Sequence, residues 1–152
     1  MEFKEPETAE PAPCNCLALR QAARRVSQLY DFHLGAAGLR TTQYSILTKL
    51  KRLGPLSINE LAKSMVMDRT TLGRAIRPLE RDGLLKIGAG DDARTRRLGL
   101  TAVGQARLTI AADKWNDAQR EFEQSFGKDD AATLRSALLR VTTLDFDGSH
   151  PA

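Results

Sequence analysis

Arg69, Thr70, Thr71, Arg74, Arg77 and Arg81 recur at a spacing that sets them on the outer face of one helix. Guanidinium groups donate hydrogen bonds in a planar fork and hydroxyls both donate and accept. The set therefore suits phosphate oxygens and base edges better than a protein core. A second cationic group follows at Arg94, Arg96 and Arg97, beside a Gly/Asp-rich connection over 88–95. Catalytic chemistry finds less support. The only histidines are His33 and His150, and no nucleophile-base pair, phosphate loop or metal-ligand cluster is visible. An enzyme, a metal site or another cofactor is not expected.

Cys14 and Cys16 are the remaining reactive side chains. A CxC pair needs further ligands to close a zinc site, and two distant histidines do not supply them. A thiol at a helix N-terminus has its thiolate favoured by the helix dipole. The alternative is that Cys16 is a small apolar residue at a subunit seam.

These side chains must be held by helices and a hairpin. Ser57 followed by Glu60 is a capping box, so a helix should start there, burying Ile58, Leu61, Ala62 and Met65. After a corner at Val66 and Met67, Asp68 can cap a second helix with Leu72, Ala75, Ile76 and Leu79 on its buried face. The arginines and threonines take the other face, which is a recognition-helix pattern. Gly83 supplies a left-handed helix end. Leu85 and Ile87, then Leu98 and Leu100, alternate as in a two-stranded ribbon with one wet face. Helix, corner, helix and basic ribbon predict a winged helix-turn-helix.

Around this module the spacing predicts a helix from about Asn15, ending at Gly35 and Gly38, and a second capped by Thr41 or Thr42 and stopped at Gly54-Pro55. Thr101 should cap a helix of about seven turns with Leu108, Ala111, Trp115, Ala118, Phe122 and Phe126 on one side. A last helix, capped by Asp129 or Asp130, carries Leu134, Leu138 and Val141. The fold class is mainly α with a small β-wing. The outer helices carry more apolar surface than the winged module can cover, so a partner subunit is expected.

Aromatics form only 5% of the 152 residues, which suits helices packed with Leu and Ala better than an all-β domain. The net charge is +4, but residues 1–13 hold four glutamates against Lys4, so the remainder carries +7. Between positions 68 and 97 there are eight Lys or Arg against five acids, a local excess where nucleic acid would lie. No secretory signal or apolar run long enough to span a membrane is seen, and a cytoplasmic protein without membrane association is expected.

The run Asp92-x-Arg94-x-x-x-Leu98-x-Leu100-Thr101-x-x-Gly104 resembles the wing signature of the MarR (multiple-antibiotic-resistance regulator) family, and the similarity extends over most of residues 14–144. The resemblance implies that Arg94 reads the minor groove from the wing tip and that Asp92 holds it. It also implies that the first helix and the last two intertwine in a homodimer. Tyr44, Trp115 and Phe122 would then line a pocket for a small, often aromatic, effector, with plain core packing as the alternative. Cys16-Leu17-Ala18-Leu19 with Tyr30 resembles the organic-hydroperoxide-sensing branch, where the cysteine is the peroxidatic thiol and the tyrosine bonds it. Two departures stand out. Pro78 falls inside the recognition helix, and Thr41 or Thr42 replaces a second tyrosine of that branch.

The expectation is one MarR-type domain over 14–144, with dimerisation helices at 14–40 and 101–144, the winged module at 41–100, an acidic arm at 1–13 and a tail at 145–152. Its partner would be double-stranded DNA, contacted by Arg69, Thr70, Thr71, Arg74, Arg77, Arg94, Arg96 and Arg97. The function expected is a repressor that binds a palindromic operator as a dimer and is released by a small ligand. The alternative is a peroxide-sensing repressor using Cys16, with Cys14 or a partner cysteine as resolving thiol. A winged helix used only for protein interaction would need fewer exposed arginines.

Overall fold

The computed structural model describes residues 13–89 and 96–146, so Asp92, Arg94, the rest of the wing tip and both chain ends lie outside the described residues. Helix α1 spans Asn15–Leu34, α2 Thr41–Leu53, α3 Ile58–Met65, α4 Arg69–Arg81, α5 Ala102–Phe126 and α6 Lys128–Thr142. Strands β1 (Leu56–Ser57), β2 (Leu85–Ala89) and β3 (Arg96–Leu100) form an antiparallel sheet in the order β1-β3-β2. This is the mainly helical, small-sheet winged helix expected. No described helix is long and apolar enough to cross a membrane.

The core lies where the helix-turn-helix meets the wing and the outer helices. Leu34, Ile46, Leu47, Leu50, Leu61, Leu72, Ile76, Leu79, Leu84, Leu85 and Leu98 are buried there, joined by Leu108 and Ala111 of α5. In the wing, Leu85 opposes Leu100 and Ile87 opposes Leu98; Leu85 and Leu98 are buried, whereas Ile87 stays exposed. Strand β1 was not expected. It is two residues long and exists only because Leu56 and Ser57 meet Leu98 and Arg97 across the chain.

Two helix starts differ from the sequence reading. Thr41 and Thr42 are the first residues of α2 rather than its cap. The orphan amide of Thr41 donates instead to Asp31 Oδ1 of α1 at 2.7 Å, and Gln43 Oε1 accepts from Arg40 N at 3.0 Å. Helix α6 begins at Lys128 after Gly127 (φ 101°), which puts Asp129 and Asp130 in the first turn. There they complement the helix dipole without capping it.

Much of the outer helices is bare in the single chain. Residues 14–25 are all exposed, and Ala131 is the one buried residue of α6, whose Leu134, Leu138, Leu139 and Val141 face outward.

The start of α5 approaches the wing more closely than any side chain would allow. A Cβ on Gly104 would lie 2.0 Å from the Leu84 carbonyl oxygen and 2.7 Å from Leu100 Cδ1. Gly104→Ala should therefore destabilise the fold by about 1–3 kcal/mol, because backbone has to move. Urea unfolding would show this as a lower midpoint, and an unchanged midpoint would contradict the packing described.

Candidate nucleic-acid interface

The recognition unit is assembled by short-range caps. Ser57 Oγ accepts from Glu60 N at 3.1 Å while Glu60 Oε2 accepts from Ser57 N at 2.8 Å, so the capping box of α3 is closed. Val66 turns the chain out of α3 with φ 53°, a left-handed conformation that is unfavourable for a β-branched residue. Asp68 then caps α4, with Oδ1 accepting from Thr71 N at 2.8 Å and Oδ2 from Thr71 Oγ1 at 2.6 Å. The Thr71 hydroxyl and amide hold the Asp68 carboxyl below its ordinary pKa. The Ser57 amide, with Arg97 nearby, does the same for Glu60.

With Leu72, Ile76 and Leu79 buried, α4 turns Arg69, Thr70, Thr71, Arg74 and Arg77 to solvent. Among the described residues, the guanidinium groups of Arg69, Arg74 and Arg77 make no hydrogen bond or ion pair. Thr71 spends its proton on Asp68 and keeps lone pairs for an incoming donor. Arg81 instead pairs with Asp82 at 3.3 Å. Pro78 does not end the helix, which continues to Arg81, with the Asp82 amide donating to the Pro78 carbonyl at 3.0 Å.

Between α4 and the wing runs an open cleft of about 710 Å³. Arg69 and Arg77 stand on one wall and Arg96 on the other, over a floor that includes Ile76, Ile87 and Leu98. Gly73 adds no side chain to it. Arg96 is exposed, but Arg97 is not available in the way expected. It is half-buried, donates from Nη1 to the Pro55 carbonyl at 3.1 Å and lies 3.7 Å from Glu60 Oε2. The reason is its register opposite Ser57, which points it back at α3. Two polar groups were missed. Asn59 lines the same cleft, and Lys86 is exposed on β2. Their signals were an outward position beside the capping box and alternation with Leu85 and Ile87.

The remaining candidates are dispersed. Cys14 and Cys16 are both exposed free thiols, and Cys14 Sγ caps α1 by accepting from Leu17 N at 3.4 Å. Tyr30 lies about 21 Å along α1 from Cys16. Its hydroxyl donates to Gln119 Oε1 of α5, and burial raises its pKa. A bond between Cys16 and Tyr30 therefore cannot form within one chain. Tyr44 and Trp115 stack on each other with centroids 6.3 Å apart, against the core. Phe122, about two turns further along α5, packs on Phe126 and lines a separate groove of about 520 Å³ with Val26, Leu29 and Phe32 of α1. Among the described residues, Tyr44 and Trp115 thus pack on the core while Phe122 lines a groove with α1.

The caps carry a pH dependence. Asp68 is held below its ordinary pKa in the folded state. Its stabilisation is therefore present above the unfolded value, about 3.9, and is lost as pH falls through the lower folded value. Asp68→Ala should melt at a lower temperature than wild type at pH 7, with the gap closing only well below pH 4. An equal gap at pH 7 and at strongly acidic pH would show that the carboxylate does not act as this cap.

The MarR family model matches residues 39–87, from the end of the turn after α1 to the middle of β2. The HTH-type transcriptional regulator YwoH of Bacillus subtilis is 25% identical over 112 residues, covering 74% of this chain and 82% of that protein. A crystal structure of the M. tuberculosis transcriptional regulator MosR in complex with DNA is 38% identical, with a TM-score of 0.70, covering 86% of this chain and 99% of that one. A probable transcriptional regulator from Pseudomonas aeruginosa is 28% identical with a TM-score of 0.77, covering 85% and 97%. A recognition helix with uncommitted cations, a basic wing and full-length relatives of one kind converge on a single assignment: this chain belongs to the MarR family of winged helix-turn-helix, DNA-binding transcription regulators.

Proposed function

We propose that the chain, as one MarR-type unit over 14–144, acts as a homodimeric repressor of an imperfect palindrome. The observation that carries this is the outer face of α4, where Arg69, Arg74 and Arg77 are exposed and unpaired among the described residues. MosR, the relative at 38% identity, was solved on DNA. Thr70, Thr71 and Arg74 then read base edges in the major groove, while Arg69, Arg77 and Arg96 meet phosphates. Arg94 enters the minor groove from the wing, supported by Asp92.

The bare faces of α1 and α6 support the dimer. Leu17, Leu19, Leu134, Leu138, Leu139 and Val141 all remain exposed in one chain, and a two-fold partner would bury them. Such a dimer offers two recognition helices to half-sites about 34–36 Å apart. An effector that binds better to the state with the wrong spacing releases the operator. The groove that holds Phe122 and Phe32 is apolar enough for an aromatic ring, and it is the effector site favoured here.

A second reading rests on the exposure of both thiols at the start of α1. The Cys16 thiolate attacks an organic hydroperoxide, cleaving its O–O bond to leave a sulfenic acid and an alcohol. A thiol of the second subunit then condenses with the sulfenic acid, forming a disulfide and releasing water. Tyr30 would reach the thiol only from the other subunit.

DNA binding should weaken steeply with salt, because each phosphate neutralised releases counterions, about 0.9 per contact. Arg94→Ala should lower affinity for many sequences together, whereas Arg74→Ala should also relax base preference, at about 1–3 kcal/mol for the lost bidentate contact. A selection from a random duplex pool compares the two, and indistinguishable preferences would refute the division of labour between helix and wing. Cumene hydroperoxide decides between the regulatory readings. If it releases wild-type protein from DNA and leaves Cys16→Ser bound, the thiol reading holds. If both stay bound, release belongs to a ligand.

A further inference from the structure

Strand β1 pairs with β3 through only Leu56 and Ser57, so few backbone bonds fix the rotation of the wing against α3. Side chains supply what the ladder lacks. Arg97, opposite Ser57, donates to the Pro55 carbonyl at 3.1 Å and lies 3.7 Å from Glu60 Oε2. The same Glu60 oxygen accepts the Ser57 amide at 2.8 Å and so closes the first turn of α3. One carboxylate thus links the root of the helix-turn-helix to the middle of the sheet. Ser57 also lines the cleft between α4 and the wing, whose walls carry Arg69 and Arg77 on one side and Arg96 on the other. A rotation of the wing about this joint changes the separation of the two cationic walls.

We infer that Arg97 and Glu60 are a positioning pair that sets the wing angle for DNA, so that an acidic residue beside the DNA-binding face promotes binding instead of opposing it. The inference rests on the reading under Proposed function and gives Arg97, which the sequence placed among the DNA contacts, a supporting part instead. The carboxylate is well suited to the role. It is held ionised by the Ser57 amide and Arg97, and it stays half-exposed, where a charge without a structural task would simply repel phosphate.

The sign of one substitution separates the alternatives. Glu60→Gln keeps an acceptor for the Ser57 amide, so the cap of α3 survives while the charge that holds Arg97 is lost. If Glu60 is a bystander, removing its negative charge tightens DNA binding. If it positions the wing, Glu60→Gln weakens binding roughly tenfold, Arg97→Ala does about the same, and the double variant is no worse than either single one, because the pair acts as a unit. The measurements are affinity at fixed salt for a duplex selected by the wild-type protein from a random pool, and hydrogen exchange of the β2 and β3 amides in the free proteins. Faster wing exchange in both single variants, with thermal midpoints near wild type, is expected. Tighter binding by Glu60→Gln, or losses that multiply to about a hundredfold in the double variant, would overturn the inference. If wild-type protein binds no duplex, the proposed function fails, and the exchange data still decide the clamp. Unchanged wing exchange in Glu60→Gln overturns it.

Discussion

The hydroxyl of Thr101 holds together the parts that the rest of the molecule depends on. It donates to the Gly83 carbonyl at 2.6 Å, just past the end of α4, and accepts the Gly104 amide at 3.0 Å as the cap of α5. The Thr101 amide donates to the Leu84 carbonyl at 3.2 Å, at the root of the wing. Gly83, with φ 72°, makes the turn between them. Recognition helix, wing and long outer helix therefore share one joint. Because Gly104 has no side chain, α5 comes down onto the Leu84 backbone, and a rotation of α5 must carry the exit of α4 with it. In the proposed dimer, a change in how two subunits pack through α5 and α6 would have a direct mechanical route to the DNA-reading surface.

The two ends of that route are unpartnered in complementary ways. At one end, Arg69, Arg74 and Arg77 on α4 find no acid among the described residues to neutralise them. At the other, α6 and the first half of α1 present aliphatic side chains to water. Charge calls for a polyanion, and apolar surface calls for burial. On the proposed reading a second copy of the chain and a DNA duplex answer both, and the joint at Thr101 would couple the two bindings. The α1–α5 clasp, where Tyr30 bonds Gln119 and His33 meets Glu121 at 2.6 Å, keeps the outer helices in register with this joint.

What could be read from the sequence was what depends on near neighbours. Ser57 with Glu60, Asp68 with Thr71 and Thr101 with Gly104 each close within three residues, so the helix starts of the winged module were legible, as was the outward set on α4. Contacts between distant residues were not. The cap of α2 comes from Asp31 on another helix, β1 is too short to show a period, and Arg97 is turned inward by its pairing with Ser57. Trp115 and Phe122 share a helical spacing on α5 that fits a pocket as well as a core, and only tertiary packing shows Trp115 stacked on Tyr44 and Phe122 set against α1. Arg94 and Asp92 rest on the wing motif alone.

The central claim is that two copies of this chain present two recognition helices to one duplex. Hydroxyl-radical footprinting of a duplex selected by the protein tests it most directly. The account predicts two protected segments on one face of the DNA, related by a dyad and centred about 10 base pairs apart. A single protected half-site, unchanged as protein concentration rises, would contradict it.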